Sequence, residues 1–269
     1  MTAFEKYINI KNINNSIICV GLDPVLDKLP ITLKKDVSSI EIFCKNIIEA
    51  TKKLVCGYKL NFAFFEQYGV EGYQILKNLF DFIPDNLLKI ADAKRADIGN
   101  TSKAYAKSVF DYFQADAITA NPYMGYDSLL PFFGHTDKLV FILALTSNPG
   151  SENFQKITIN GKPLYQFVIE ESIKWGTKFN TGFVVGATHP EELVLIRDIA
   201  PDNLLLIPGI GAQGGDIEAI MKANKNGLAI INVSRAVIYS SSEKDYNESA
   251  AKKVIELNNI INSFSYMRF

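Results

Sequence analysis

Asp92-Ala93-Lys94-Arg95-Ala96-Asp97 directly follows the apolar run 88–91. Residues two apart in a strand share a face, so Asp92 and Lys94 project together while Ala93 turns away. Fixed opposite charges held where water competes poorly can stabilise charge that develops during a reaction. Lys59 ends an earlier apolar run, 55–59. Consecutive strands in a barrel are usually neighbours, so its ammonium group can reach the same place. Asp97 lies past the strand end and can turn inward or outward. The residue types alone leave two readings open, a catalytic acid-base cluster and a structural network of ion pairs or solvated loop charges.

A second group suits an anion. Pro208-Gly209-Ile210-Gly211-Ala212-Gln213-Gly214-Gly215-Asp216 follows one apolar run and Ser234-Arg235-Ala236 follows the next. Glycines let backbone N–H groups approach a phosphate, and Arg235 adds a bidentate donor. The coincidence of the two favours a phosphate monoester over a plain mobile turn. Thr146-Ser147-Asn148-Pro149-Gly150 offers hydroxyl and amide groups that can read a polar heterocycle. Asn-Pro-Gly is also a strong turn sequence, and composition does not separate the two roles.

Something must carry these groups to one place. Eight short apolar runs, at 17–21, 55–59, 88–92, 117–119, 139–144, 181–185, 204–208 and 228–233, alternate with amphipathic stretches such as 40–54, 67–82, 101–113, 164–174, 191–199 and 216–224. This is the pattern of repeated strand-helix units around a parallel sheet, and eight units suggest closure into a (β/α)8 TIM barrel. Nearly every run ends in polar or Gly-rich residues. In a barrel those ends converge on one face, where active sites of this architecture sit, with phosphate commonly held after the seventh and eighth strands. An open, doubly wound sheet is the alternative, because alternation does not prove closure.

With 269 residues and no linker, repeat or low-complexity block, the chain is expected to form one domain over 1–269. Lys plus Arg number 28 against 29 Asp plus Glu, a balance that gives no general reason to expect a nucleic-acid or membrane partner. Cys19, Cys44 and Cys56 fit no metal or redox spacing and read as reduced, packed thiols. No apolar run approaches the ~20 residues that span a bilayer, and residues 1–11 mix charges through a short amphipathic stretch instead of a signal core. The expected location is the cytoplasm. His135 and His189 lack ligand spacing and read as loop or cap residues, and no metal site is expected.

These segments, in this order, resemble orotidine 5'-phosphate decarboxylases, and more closely their longer bacterial subfamily. The resemblance covers nearly the whole chain and rests on Gly21-Leu22-Asp23, Lys59, the stretch 92–101, the stretch 146–150, the stretch 208–216 and Ser234-Arg235. The acid-base motif is shared with related phosphosugar decarboxylases and aldolase-like barrels. The Thr-Ser-Asn-Pro-Gly and Gly-Ala-Gln-Gly-Gly-Asp segments narrow it. The resemblance implies conversion of orotidine 5'-monophosphate to uridine 5'-monophosphate without a cofactor, by a charged tetrad of Lys59, Asp92, Lys94 and Asp97. It further implies a homodimer with shared sites, Asp97 and Thr101 reaching the partner. Asp23 would hold the ribose, Ser147 the pyrimidine, and Gln213 with Arg235 the phosphate, with Pro208 at the same rim. Asn61 and Asn121 are also implied near the site, without roles.

Overall fold

The computed structural model describes residues 1–210 and 216–265, the last by its backbone alone. In chain order its strands are β1 (Ile18–Leu22), β2 (Gly57–Asn61), β3 (Leu88–Arg95), β4 (Ala117–Ala120), β5 (Leu139–Leu145), β6 (Thr158–Ile159), β7 (Lys162–Pro163), β8 (Thr181–Val185), β9 (Leu204–Pro208) and β10 (Ala229–Val233). Strands β6 and β7 form a small antiparallel hairpin. The other eight are parallel and pair in the order β1-β10-β9-β8-β5-β4-β3-β2, with β2 returning to β1. The sheet is therefore closed, and the open doubly wound alternative is excluded.

Each barrel strand is a short, almost wholly buried run, as expected of parallel strands covered by helices outside and side chains within. The helices turn one apolar stripe to this sheet. Helix Gly69–Phe82 buries Ile75, Leu76, Leu79 and Phe80, a spacing that keeps one face inward. Phe80 meets Phe62 and Phe113 at ring-centroid distances of 6.2 and 5.4 Å, in the tilted and edge-on geometries that aromatic quadrupoles favour. At the N-terminus Thr2 and Glu5 form a reciprocal capping box that starts helix Ala3–Ile13.

Three elements depart from the sequence reading. Helix Tyr126–Phe133 carries Pro131 inside it, which masks a helical pattern in sequence. The hairpin β6–β7 follows the loop after β5. Helix Tyr246–Ser265 closes the described chain, burying Tyr246, Ala250, Val254, Leu257 and Ile261. Helix Ala3–Ile13 runs into the Asn-rich stretch 12–15 as far as Ile13.

The end of the barrel opposite the strand C-termini is tied by Arg197. Its Nη1 donates to the carbonyls of Ala200 (3.0 Å) and Asn203 (2.8 Å), and its Nη2 donates to Asn224 Oδ1 (2.7 Å) and the Leu228 carbonyl (2.9 Å). Burial brings the guanidinium pKa down to about 10, so it stays charged at neutral pH. Gly227 makes room for it, since a Cβ there would lie 2.4 Å from Arg197 Nε. One cation thus satisfies acceptors from three consecutive segments that are buried from water. Arg197→Ala is expected to lower the unfolding free energy by about 3 kcal/mol in urea titration. A loss below about 1 kcal/mol would show that water replaces the guanidinium at these carbonyls.

Candidate active site

The C-terminal strand ends surround a cavity of about 310 Å³. Asp23, Lys59, Asp92, Lys94, Ser147, Pro208 and Arg235 all line it. Seven of the ten residues singled out from sequence therefore meet in one place.

Asp92 is the hub. Its Oδ2 accepts from Lys59 Nζ at 2.7 Å, and its Oδ1 accepts from Lys94 Nζ at 2.5 Å. Lys59 Nζ also stands 3.7 Å from Asp23 Oδ1, so charges alternate Asp23, Lys59, Asp92, Lys94 across the cavity. Burial opposes ionisation of Asp92, but the two lysines outweigh it and hold the carboxyl well below the usual range. Burial likewise opposes the charge on Lys59, and Asp23 with Asp92 overcomes it and raises the ammonium pKa. The lysines differ in access. The side chain of Lys59 is 5% exposed and that of Lys94 is 49% exposed, so Lys94 is the cation that a bound molecule can approach.

The backbone carries strain at this point. Lys94 has φ +48°, a left-handed conformation uncommon for residues other than glycine, and the β3/β4 register shifts between Ala91 and Arg95. Simple strand alternation therefore does not account for the shared direction of Asp92 and Lys94. Thr119 on β4 holds the distorted end, accepting from the Lys94 amide at 3.1 Å and donating to Asp92 Oδ1 at 2.9 Å. Arg95 turns outward to pair with Glu66 and stacks over Tyr105 at 5.2 Å. Strain that persists under such bracing belongs with sites that need one geometry.

The rim is built by local bonds. Val25 N donates to Tyr239 Oη at 2.7 Å, and that hydroxyl lies 3.3 Å from the Asp23 carbonyl, so Tyr239 fixes the loop that presents Asp23. After β5, Gln155 Oε1 accepts from Thr146 N at 2.7 Å and Thr146 Oγ1 donates to Asn148 Oδ1 at 2.6 Å, which orders the loop carrying Ser147. His189 Nε2 stands 3.1 Å from the Thr146 carbonyl and bears on the same loop. Asn61 lines the cavity. Asn121 instead caps the turn Pro122–Met124 through Tyr123 N.

Two of the expected residues are placed elsewhere. Asp97 Oδ1 accepts from Ile98 N at 2.8 Å and Thr101 is exposed at the start of helix Gly99–Lys107, both outside the lining of this cavity. Gln213 lies outside the described residues. Three lining or supporting groups escaped the sequence reading. Thr119 had a signal, a polar side chain at an alternating position of a buried strand. Asn232 had a similar one, an amide inside the apolar run Ala229–Val233. Tyr239 had none, because its role depends on β1 and β10 meeting across the length of the chain. Among the described residues no group of three or more His, Cys, Asp or Glu side chains is placed to hold a metal ion.

The depressed Asp92 carboxyl makes stability depend on pH. A lowered folded-state pKa adds stability above the ordinary unfolded value near ~4, and that contribution is lost as pH falls below it. Asp92→Asn takes the shared carboxylate from the half-exposed Lys94 and from the buried Lys59, which keeps only Asp23 at 3.7 Å, and is expected to cost about 3 kcal/mol at pH 7. At pH 3 the deficit relative to wild type should shrink by about 1 kcal/mol, because the unfolded wild-type chain is by then largely protonated. Equal deficits at both pH values, measured by urea unfolding, would show that the charge of Asp92 does not hold the site.

Residues 16–251 match the family model described as orotidine 5'-phosphate decarboxylase / HUMPS family. An orotidine 5'-phosphate decarboxylase of Dehalococcoides mccartyi (strain BAV1) is 45% identical over 271 residues, covering 98% of each chain. Another, of Herpetosiphon aurantiacus, is 46% identical over 250 residues, covering 92% of this chain and 93% of its own. The structure of Leishmania donovani OMP decarboxylase superposes with a TM-score of 0.85 at 36% identity, covering 97% of this chain and 99% of that one. The Leishmania donovani UMP synthase structure gives a TM-score of 0.87 at 38% identity, and there the match spans 57% of a longer chain. With the matched segment taking in the whole barrel and the charged cavity at its mouth, the chain belongs to the orotidine 5'-phosphate decarboxylase / HUMPS family.

Proposed function

We propose that the chain, acting as one domain over 1–269, decarboxylates orotidine 5'-monophosphate to uridine 5'-monophosphate. The observation that carries this reading is the alternating array of Lys59, Asp92 and Lys94 in a cavity that Arg235 also lines. Arg235, with Gln213, grips the phosphate. Asp23 takes the ribose, Pro208 borders the sugar and base, and Ser147 reads the pyrimidine.

In the reaction the bond from C6 to the carboxylate breaks, carbon dioxide leaves, and the electron pair stays on C6. Lys94 stabilises that charge and transfers one ammonium proton to C6, then regains a proton from solvent. Asp92 stands beside the departing carboxylate and, with Lys59, keeps the Lys94 ammonium aimed at the reacting carbon. These charges are fixed before substrate arrives, so little reorganisation is needed as the carbanion forms. The phosphate is remote from C6, and its binding free energy assembles the site around the base.

Counted with Asp23, the array of Asp23, Lys59, Asp92 and Lys94 has two carboxylates against two lysines, which leaves no surplus acidic charge to recruit a divalent cation. A keto sugar phosphate decarboxylase requiring Mg²⁺ is the competing reading. Purified protein should therefore consume orotidine 5'-monophosphate under exhaustive chelation, followed by absorbance. Lys94→Ala should abolish turnover while binding uridine 5'-monophosphate with affinity within about tenfold of wild type. Activity restored only by Mg²⁺, or equal losses of binding and turnover in Lys94→Ala, would overturn the assignment.

The same reading assigns Asp97 and Thr101 to the site of a second copy. The loop after β4 lies against the end of β3 through Asn121 N and the Arg95 carbonyl (3.2 Å), and Ser102 Oγ donates to the Ser128 carbonyl at 2.6 Å. Around this surface Ile98, Tyr123, Met124, Tyr126 and Leu130 are exposed, an apolar patch that favours association of copies. A two-fold dimer would carry Asp97 into the partner's cavity. No described helix is long and apolar enough to cross a membrane, the three cysteines are free and buried as a reducing cytoplasm allows, and the near-neutral charge balance gives no reason to add a nucleic-acid partner. Inactive Lys94→Ala and Asp97→Ala proteins, dissociated, mixed and reassociated, should recover about a quarter of wild-type sites, since half the dimers are mixed and each mixed dimer has one good site. If mixed dimers form and activity stays absent, Asp97 serves its own chain.

A further inference from the structure

Three buried side-chain oxygens at the joint between β1 and β10 have no hydrogen-bond partner among the described residues: Asp23 Oδ1, Asn232 Oδ1 and Ser234 Oγ. Asp23 Oδ1 retains its 3.7 Å ion-pair contact with Lys59, but the other two have no such compensation. All three residues line the active-site cavity. Asn232 is 5% exposed, so its amide has little access to bulk water.

The joint is shaped for close approach. Gly21 lies on β1 across from Ser234, and a Cβ there would stand 2.8 Å from Ser234 Cβ and 3.3 Å from both Asn232 Oδ1 and Ser234 Oγ. The two oxygens therefore face one small region that glycine keeps open. Asn232 lies three residues before Arg235 and beside Pro208 in the β9/β10 register, and Gly21 lies two residues before Asp23. The amide thus sits between the group assigned to the ribose and the group assigned to the phosphate.

A buried polar group without a partner lowers stability, and native proteins rarely retain one without a use. Leucine or isoleucine would suit a β10 strand otherwise made of Ala229, Ile230, Ile231 and Val233. We propose that Asn232 is a substrate-contacting residue that hydrogen-bonds the ribose 5'-phosphate segment of the nucleotide. A primary amide offers a donor and an acceptor on one planar group. The segment supplies matching atoms, with hydroxyls to donate and ester and ring oxygens to accept. The cost of burying the amide is carried by the free protein and removed in the complex, so Asn232 lowers stability and raises affinity.

This inference rests on reading the cavity as the orotidine 5'-monophosphate site, and the test separates the two. Asn232→Leu and Asn232→Ala are compared with wild type for ligand-free Tm, for uridine 5'-monophosphate affinity by calorimetry, and for kcat and KM. The expected result is a ligand-free Tm for Asn232→Leu at or above wild type, with affinity about tenfold weaker in both variants, the size of one lost hydrogen bond to a ligand. The turnover loss should appear mainly in KM. Affinity within twofold of wild type in both variants would overturn the contact. Weakened binding that comes only with a lowered Tm in both variants would make Asn232 structural and overturn it equally. Wild-type protein that neither binds the product nor consumes the substrate would instead remove the decarboxylase reading on which the inference stands.

Discussion

The carboxylate of Asp92 between Lys59 and Lys94 sets the terms for the rest of the molecule. A lone carboxylate this deeply buried would take up a proton, and the buried Lys59 alone would tend to lose one. Ionised together, each offsets the desolvation of the others. Such an arrangement is rarely the most stable filling for a core, because apolar side chains of similar volume avoid the desolvation cost altogether. Under the proposed decarboxylation its retention is explained by the chemistry it makes available, and the closed sheet is what makes it attainable. Lys59 arrives from β2, Asp92 and Lys94 from β3, and the Thr119 hydroxyl from β4, three adjacent strands whose register is fixed by parallel ladders.

That fixed register also explains the strained backbone at Lys94. A regular strand would carry the chain past the cavity, whereas the register shift after Ala91 and the left-handed Lys94 bring the ammonium back onto Asp92. The distortion survives because Thr119 satisfies both the displaced amide and the carboxylate. At the other end of the barrel Arg197 works in the opposite sense, a single charge whose two Nη atoms meet backbone carbonyls and one side-chain amide. The two buried cationic sites look alike in sequence, since both are basic residues in apolar surroundings. They differ in their partners. Lys94 is paired with a charge and half exposed, while Arg197 is bonded through its Nη atoms to neutral acceptors.

The apolar periods made the eight strands legible, because a buried parallel strand is a short continuous run and each run here sits between amphipathic helices. Asp92, Lys94 and Arg235 were legible as chemistry because they follow such runs directly. The helix with Pro131 inside it was not, since proline removes the donor that helical periodicity presumes. The hairpin at 158–163 has too few residues for any period to register. Thr119, Asn232 and Tyr239 matter through contacts between strands or loops far apart in sequence, and composition holds no record of who faces whom. Asp97 differs in kind, because the resemblance assigns it to a partner's site and a single chain places it only outside its own cavity.

The joint between β1 and β10 is where the first and last strands of the barrel meet, and it has unusual composition for a joint. Beside Gly21, the residues Asp23, Asn232 and Ser234 bring oxygens without a partner among the described residues to it where apolar side chains would close it more firmly, and Tyr239 reaches back from beyond β10 to hold the Asp23 loop. The ladder there is also short, with the β1/β10 pairing spanning Ile18↔Ile231 to Val20↔Val233. A ligand that satisfies these oxygens binds the folded barrel and not the unfolded chain, so its binding free energy adds directly to closure. The oxygens that weaken the joint are thus the same ones through which a bound nucleotide can strengthen it. Stability and recognition are coupled at the one place where the two ends of the fold must be brought together.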